Sequence, residues 1–198
     1  MVDVISFGAI AVTIFVAELT DKDAFLLITL ATKVRARLVF LAGAVAFTIT
    51  TTILVLAGSV LISIVPVYWV RVAGGVIMLA YGLWEARGLV GMRAVMEEES
   101  RVQKAGTPWR AFVAMVGALA LLDLAGDATE VLVIVFVAHY ANLLLVFSAV
   151  ILGLITATAL ETALGSRLGR LLTPRRLRIV SAVVFMALGA GILLLNAV

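Results

Sequence analysis

"ISFGAIAVTIFVAELTDKDAFLLITLAT", residues 5–32, decides the architecture. Read as a helix it is long enough to cross a bilayer, because a span needs about 20 mostly apolar residues. Its centre nevertheless carries Glu18, Asp21, Lys22 and Asp23 within six positions. One charge placed at mid-bilayer costs roughly 2.5–3.5 kcal/mol on insertion scales. Four together in such a segment call for a role.

The rest of the chain is as apolar. Of 198 residues, 64% are hydrophobic and 14% charged, against about 45–50% and about 25% in ordinary globular chains. This composition excludes a soluble domain and reads as an all-α integral membrane protein. Six apolar segments stand out: 4–32, 38–64, 67–86, 109–138, 142–165 and 177–197. Helices are expected, since backbone facing lipid must satisfy its own hydrogen bonds, and no long alternating pattern suggests a barrel. The first and fourth segments are long for straight spans, so they are expected to be tilted, broken or partly interfacial. No removable signal peptide is expected, because no cleavage pattern separates from the first segment. Cysteine is absent, which excludes disulfides and thiolate metal sites.

The basic residues set an orientation. With six spans, the loops after the first, third and fifth lie on one side. They hold Lys33, Arg35 and Arg37, then Arg87, Arg93, Arg101, Lys104 and Arg110, then Arg167, Arg170, Arg175, Arg176 and Arg178. The other side holds only Arg71. The positive-inside rule places the basic loops in the cytoplasm and both termini outside a cell membrane. The net charge of +3 therefore points to loop orientation and not to nucleic acid. The "MEEESRVQK" stretch at 96–104 reads as part of a cytoplasmic linker with a solvated acidic face.

That linker, residues 89–108, divides the chain into three-helix units at 1–88 and 109–198. "RVAGGVIMLAYG" at 71–82 resembles "RIVSAVVFMALG" at 178–189. Arg71 and Arg178, Val76 and Val183, Gly82 and Gly189, and Gly58 and Gly165 share an offset of 107, while Asp21 and Asp127 differ by 106. A three-span unit ends on the side opposite its start, so its copy is expected to be inverted. Inverted repeats are common in secondary transporters, with the site near the midplane where the copies meet.

The fourth segment carries "LLDLAGDATEVL" at 121–132. Asp123, Asp127 and Glu130 are four and three apart, which puts them on one helical stripe. Glu18 and Asp21 share a face in the same way, whereas Asp23 falls off it in a regular helix. With Glu161, seven acids lie inside apolar stretches, against one deep basic residue, Lys22. They must be partly protonated, hydrated or bound to a cation. Crowded carboxylates hold protons until a cation displaces them, which suits exchange. Carboxylates, the Thr20 and Thr129 hydroxyls and backbone carbonyls are hard oxygen donors, favouring Ca²⁺, Mn²⁺ or Mg²⁺ over zinc or copper. Gly126 is placed to loosen the helix and expose carbonyls. Glu161, near the end of its segment, reads equally as a functional acid or as one that snorkels or pairs with Arg167 or Arg170.

At these residues the sequence resembles the transmembrane protein 165 family of cation/proton exchangers. That family has six spans and two E-x-G-D-(K/R)-(S/T) motifs, in the first and fourth. Glu18, Asp21 and Lys22 match the first copy, with Thr20 in place of Gly and Asp23 in place of Ser or Thr. Gly126, Asp127 and Thr129 match the second; Leu124 stands where the family has Glu, and Ala128 where it has the basic residue. Asp123 or Glu130 is the candidate to supply the missing carboxylate. The resemblance implies an exchanger of Mn²⁺ or Ca²⁺ for protons, with no resident cofactor and no enzymatic activity. A homodimer is left open. Three other readings compete: an exporter of a small organic cation or amino acid of the lysine-exporter type, a passive channel, and an intramembrane aspartyl protease using Asp21 and Asp127.

Overall fold

The computed structural model describes residues 2–86, 92–124, 128–140, 142–168 and 174–196. Among them all regular structure is helical: α1 (Val2–Glu18), α2 (Lys22–Lys33), α3 (Ala36–Ile64), α4 (Val67–Ala86), α5 (Met92–Gln103), α6 (Pro108–Asp123), α7 (Ala128–His139), α8 (Leu143–Leu168) and α9 (Pro174–Asn196). Three of these, α3, α4 and α8, contain stretches long and apolar enough to cross a bilayer. The α1–α2 pair, bent by 66°, passes as a fourth.

The two long segments are broken in the middle. Residues 4–32 form α1 and α2, and residues 109–138 form α6 and α7. The first break coincides with a charged motif, for a local reason; between α6 and α7, residues 125–127 lie outside the described residues. The Leu19 amide still bonds Phe15 O four residues back, but the Thr20 and Asp21 amides bond the Ala17 and Glu18 carbonyls three residues back. The last carbonyls of a helix have no partner within it. Thr20 supplies one, its hydroxyl donating to Ala17 O at 2.8 Å and also approaching Val16 O at 3.3 Å. Asp21 then adopts an extended backbone and caps α2, accepting from the Lys22 amide. An Asp at this position is a strong helix start.

Several helix contacts come in matching pairs, although α4 also packs on α7 without an equally extensive α2–α9 contact among the described residues. α1 lies on α8 as α6 lies on α3, and α2 lies on α8 as α7 lies on α3. α1 meets α7 as α2 meets α6, while α4 runs along α9. The glycines that share the 107 offset sit at matching places. A methyl added at Gly189 would lie 2.9 Å from Gly75 O, and one at Gly82 would lie 3.0 Å from Ala182 O. Those two contacts exchange when 107 is added to the α4 numbers. They also make α4 and α9 antiparallel, since residue 75 meets 189 and residue 82 meets 182. Gly58 abuts Val137 of α7, and its counterpart Gly165 abuts Ile28 and Ala31 of α2.

The core is built from Ile10, Ile14, Leu26, Leu27, Phe47, Met115, Leu119 and Phe185, among others. Large apolar side chains on the other faces point outward, such as Leu41, Val45, Ile49, Ile53 and Leu56 on α3. Tyr68, Trp69, Trp84 and Trp109 are exposed near helix ends, as interfacial anchors would be.

The 96–104 stretch, expected to be part of a linker with a solvated acidic face, is helical as far as Gln103 and mostly exposed, with Val102 turned inward. It belongs to α5, which packs on α2 and α6 and buries Val95 and Val102. These two are seven apart and so share a helix face. Lys33 at the end of α2 pairs with Glu99. Arg101 bridges Glu97 and Glu98 at 2.8 and 2.9 Å. Of the acidic run, Glu99 ties α5 to α2, while Glu97 and Glu98 pair with Arg101 within α5 and Glu97 faces outward.

Candidate cation site

The candidate residues lie at the ends of the two helix pairs, α1–α2 and α6–α7. Glu18, the last residue of α1, is fully buried. Asp21, the cap of α2, and Asp23, in its first turn, are also buried; Lys22 beside them is half-buried. Asp23, which a regular helix would have turned away from Glu18 and Asp21, is carried inward because the chain bends between them. On the other side Asp123 ends α6 and is buried, Thr129 in the first turn of α7 is buried, and Glu130 is half-buried. Asp127 and Gly126 lie outside the described residues.

The termini bear on the question left by the motif. Asp123 ends α6 as Glu18 ends α1, whereas Glu130 lies inside α7. By position in the fold, Asp123 is the counterpart of Glu18. The setting is electrostatically pointed. A helix C-terminus carries partial negative charge, so these two carboxylates are poorly placed to hold bare negative charge. They are well placed to hold a cation together with neighbouring carbonyl oxygens.

A hydrogen bond joins the two motifs directly. The Thr129 hydroxyl donates to Glu18 Oε2 at 3.4 Å, between residues that the core buries. Within the first half, Tyr81 of α4 also reaches the site, its hydroxyl donating to Asp21 Oδ1 at 3.4 Å. Both are long for hydroxyl–carboxylate bonds and individually weak. Tyr81 is held edge-on against Phe185 of α9, ring centres 5.2 Å apart. Its place at the site has no sequence signal, because an aromatic residue in an apolar helix usually packs.

Among the described residues no group of three or more His, Cys, Asp or Glu side chains converges into a metal cage. His139 is exposed at the end of α7, edge-on to Tyr140. Thr50 and Thr51 are buried on α3, whereas Thr48 and Thr52 point outward and bond carbonyls of their own helix.

Comparison with known proteins bears on these observations. No curated protein and no solved structure gives a significant match to the chain. A family model described as divalent cation/proton antiporter GDT1 matches twice over, at residues 6–93 and 109–197. The two matches flank the α5 region and each contains one broken helix pair. Together they cover most of the chain, so this multi-pass membrane protein belongs to the GDT1 family of divalent cation/proton antiporters, the transmembrane protein 165 family that its motifs resemble.

Proposed function

We propose that the chain exchanges Mn²⁺ or Ca²⁺ for protons at a midplane site formed where two inverted halves meet. Glu18 and Asp21 from one half and Asp123 and Asp127 from the other are the principal ligands. Asp23 and Glu130 act as further ligands or proton carriers, supported by Thr20, Lys22, Gly126 and Thr129. The observation that carries the reading is the Thr129–Glu18 contact, which spans 111 positions to join the two breaks. The antiparallel α4–α9 pair supports inversion, because a two-fold axis that exchanges antiparallel helices lies across them. In a membrane such an axis lies in the membrane plane.

All-oxygen donors favour a hard divalent ion. In one half-cycle the carboxylates give up their protons as the cation enters; in the other, protons from the opposite side return and displace the cation. The halves then rock about the site to expose it on the other side. Family membership favours this over an amino-acid exporter and over a protease. Basic loops face the cytoplasm in this arrangement, with both termini outside.

Reconstituted protein with a pH gradient and a trapped pH dye tests the reading. Mn²⁺ or Ca²⁺ is expected to drive proton movement where Na⁺ does not. Asp21→Asn and Asp127→Asn are expected to abolish that flux while the protein still folds. Normal exchange by both variants would reject the site.

A further inference from the structure

Glu161 belongs to neither broken helix. It lies on α8 with 1% of its surface exposed. Neither of its carboxylate oxygens accepts a hydrogen bond from a described residue. It does not snorkel to the surface: α8 continues to Leu168, leaving Glu161 two turns inside the helix.

Its place along α8 follows from its neighbours. Residues 153, 157, 161 and 165 recur every four positions and form one stripe. At Gly153 the stripe meets Ala11 and Ile14 of α1; at Gly165 it meets Ile28 and Ala31 of α2. Glu161 therefore lies along the seam where α1 gives way to α2, nearer α2. Leu27 and Thr158 both close on Gly43 of α3. Asp23, buried in the first turn of α2, is one turn before Leu27. The two acids thus flank the same α2–α8 seam.

Hydroxyl oxygens complete the setting. Thr158 and Thr162 are buried, and their hydroxyls donate to Leu154 O at 2.8 Å and Thr158 O at 2.7 Å. A hydroxyl that has given its proton to a carbonyl keeps its lone pairs for a cation. A buried carboxylate with no donor is stable only when neutral or beside a positive charge. The donors are again all oxygen, which selects a hard cation.

We propose that the α2–α8 seam is a second station for the transported divalent cation, with Glu161 as its principal ligand and Asp23 between the two stations. This rests on the exchanger reading. No three acids converge among the described residues, so hydroxyl and water oxygens fill the remaining coordination. The second station is accordingly the weaker one, suited to passing an ion to or from the site between the halves.

Equilibrium binding of Mn²⁺ to the purified full chain in detergent, read by the spin-resonance signal of unbound Mn²⁺, tests this. Wild type is expected to bind two ions of unequal affinity. Glu161→Gln should lose the weaker and keep the tighter, with melting temperature unchanged or raised, because a buried charge is removed. Asp123→Asn should lose the tighter and keep the weaker. Glu161→Asp keeps the carboxylate and decides the matter if the Gln chain fails to fold: it should retain both ions, the weaker loosened about tenfold. A Glu161→Gln chain that binds as wild type, or a Glu161→Asp chain with unchanged affinities, overturns the second station and leaves the exchanger reading intact. Loss of both ions with a fall in melting temperature in Glu161→Gln would make Glu161 structural and also overturn it. A wild-type chain that binds no Mn²⁺ would instead remove the exchanger reading on which it rests.

Discussion

Replacing Thr129 with Val keeps the shape of the side chain and removes only the hydroxyl that reaches Glu18. Both residues are buried, so water does not readily replace the lost donor. A hydrogen bond to a charged group contributes about 1.5–3 kcal/mol. At 3.4 Å this one belongs at or below the bottom of that range. About 1–1.5 kcal/mol corresponds to a roughly 5–12-fold change in an equilibrium. The hydroxyl holds the Glu18 carboxylate at the junction of the halves, so its loss should weaken Mn²⁺ at the site by that factor. The assay is the Mn²⁺ concentration giving half-maximal proton flux in vesicles at fixed pH. Thr129→Ser, which keeps the hydroxyl, should recover most of the loss. Thr48→Val is the control: Thr48 is exposed and bonds Ala44 O of its own helix at 2.6 Å. It should shift the half-maximal concentration by less than about twofold, within the usual range of surface substitutions. If Thr129→Val matches wild type, or is no worse than Thr48→Val, the contact between the halves has no part in cation binding.

Three further outcomes follow from the packing. Tyr81→Phe keeps the ring contact with Phe185 but removes the hydroxyl from Asp21, so it should weaken cation binding about 2–10-fold with little change in melting temperature. Gly189→Ala places a methyl 2.8 Å from Leu79 N and 2.9 Å from Gly75 O, whereas Gly117→Ala meets nothing within 4 Å; the first should cost about 1–3 kcal/mol and melt earlier in detergent, and the second should not. Val95→Asp puts a charge on the buried face of α5, and should speed protease cleavage near residues 96–104 while the remaining helices stay folded.

Much of this arrangement is legible in the sequence, for reasons tied to particular residues. Long, mostly apolar runs locate α3, α4, α8 and α9 to within a few residues, because a membrane helix must be mostly apolar along its length. The excess length of segments 4–32 and 109–138 signals their breaks. The acids mark the candidate site because charge in an apolar run is costly. The assignment of Asp123 as the counterpart of Glu18 is not legible. Spacing places Asp123 and Glu130 equally well on one stripe, and only the end of α6 separates them. Tyr81 is invisible for a similar reason: what brings it to Asp21 is the tertiary approach of α4. The α5 dock had a signal, Val95 and Val102 seven apart, but the surrounding charges masked it. Glu161 was ambiguous because the apolar run ends soon after it, whereas the helix itself continues.

The central claim is that one cation site is shared by both halves and coupled to protons. Its most direct measurement is the simultaneous titration of Mn²⁺ binding and proton release by purified protein in weakly buffered detergent, for wild type, Asp21→Asn and Asp123→Asn. The account predicts that wild type releases protons as its tightest ion binds, and that either substitution, one from each half, removes that tight binding and its proton release. Tight binding with proton release that survives Asp123→Asn would contradict a site built from the two halves.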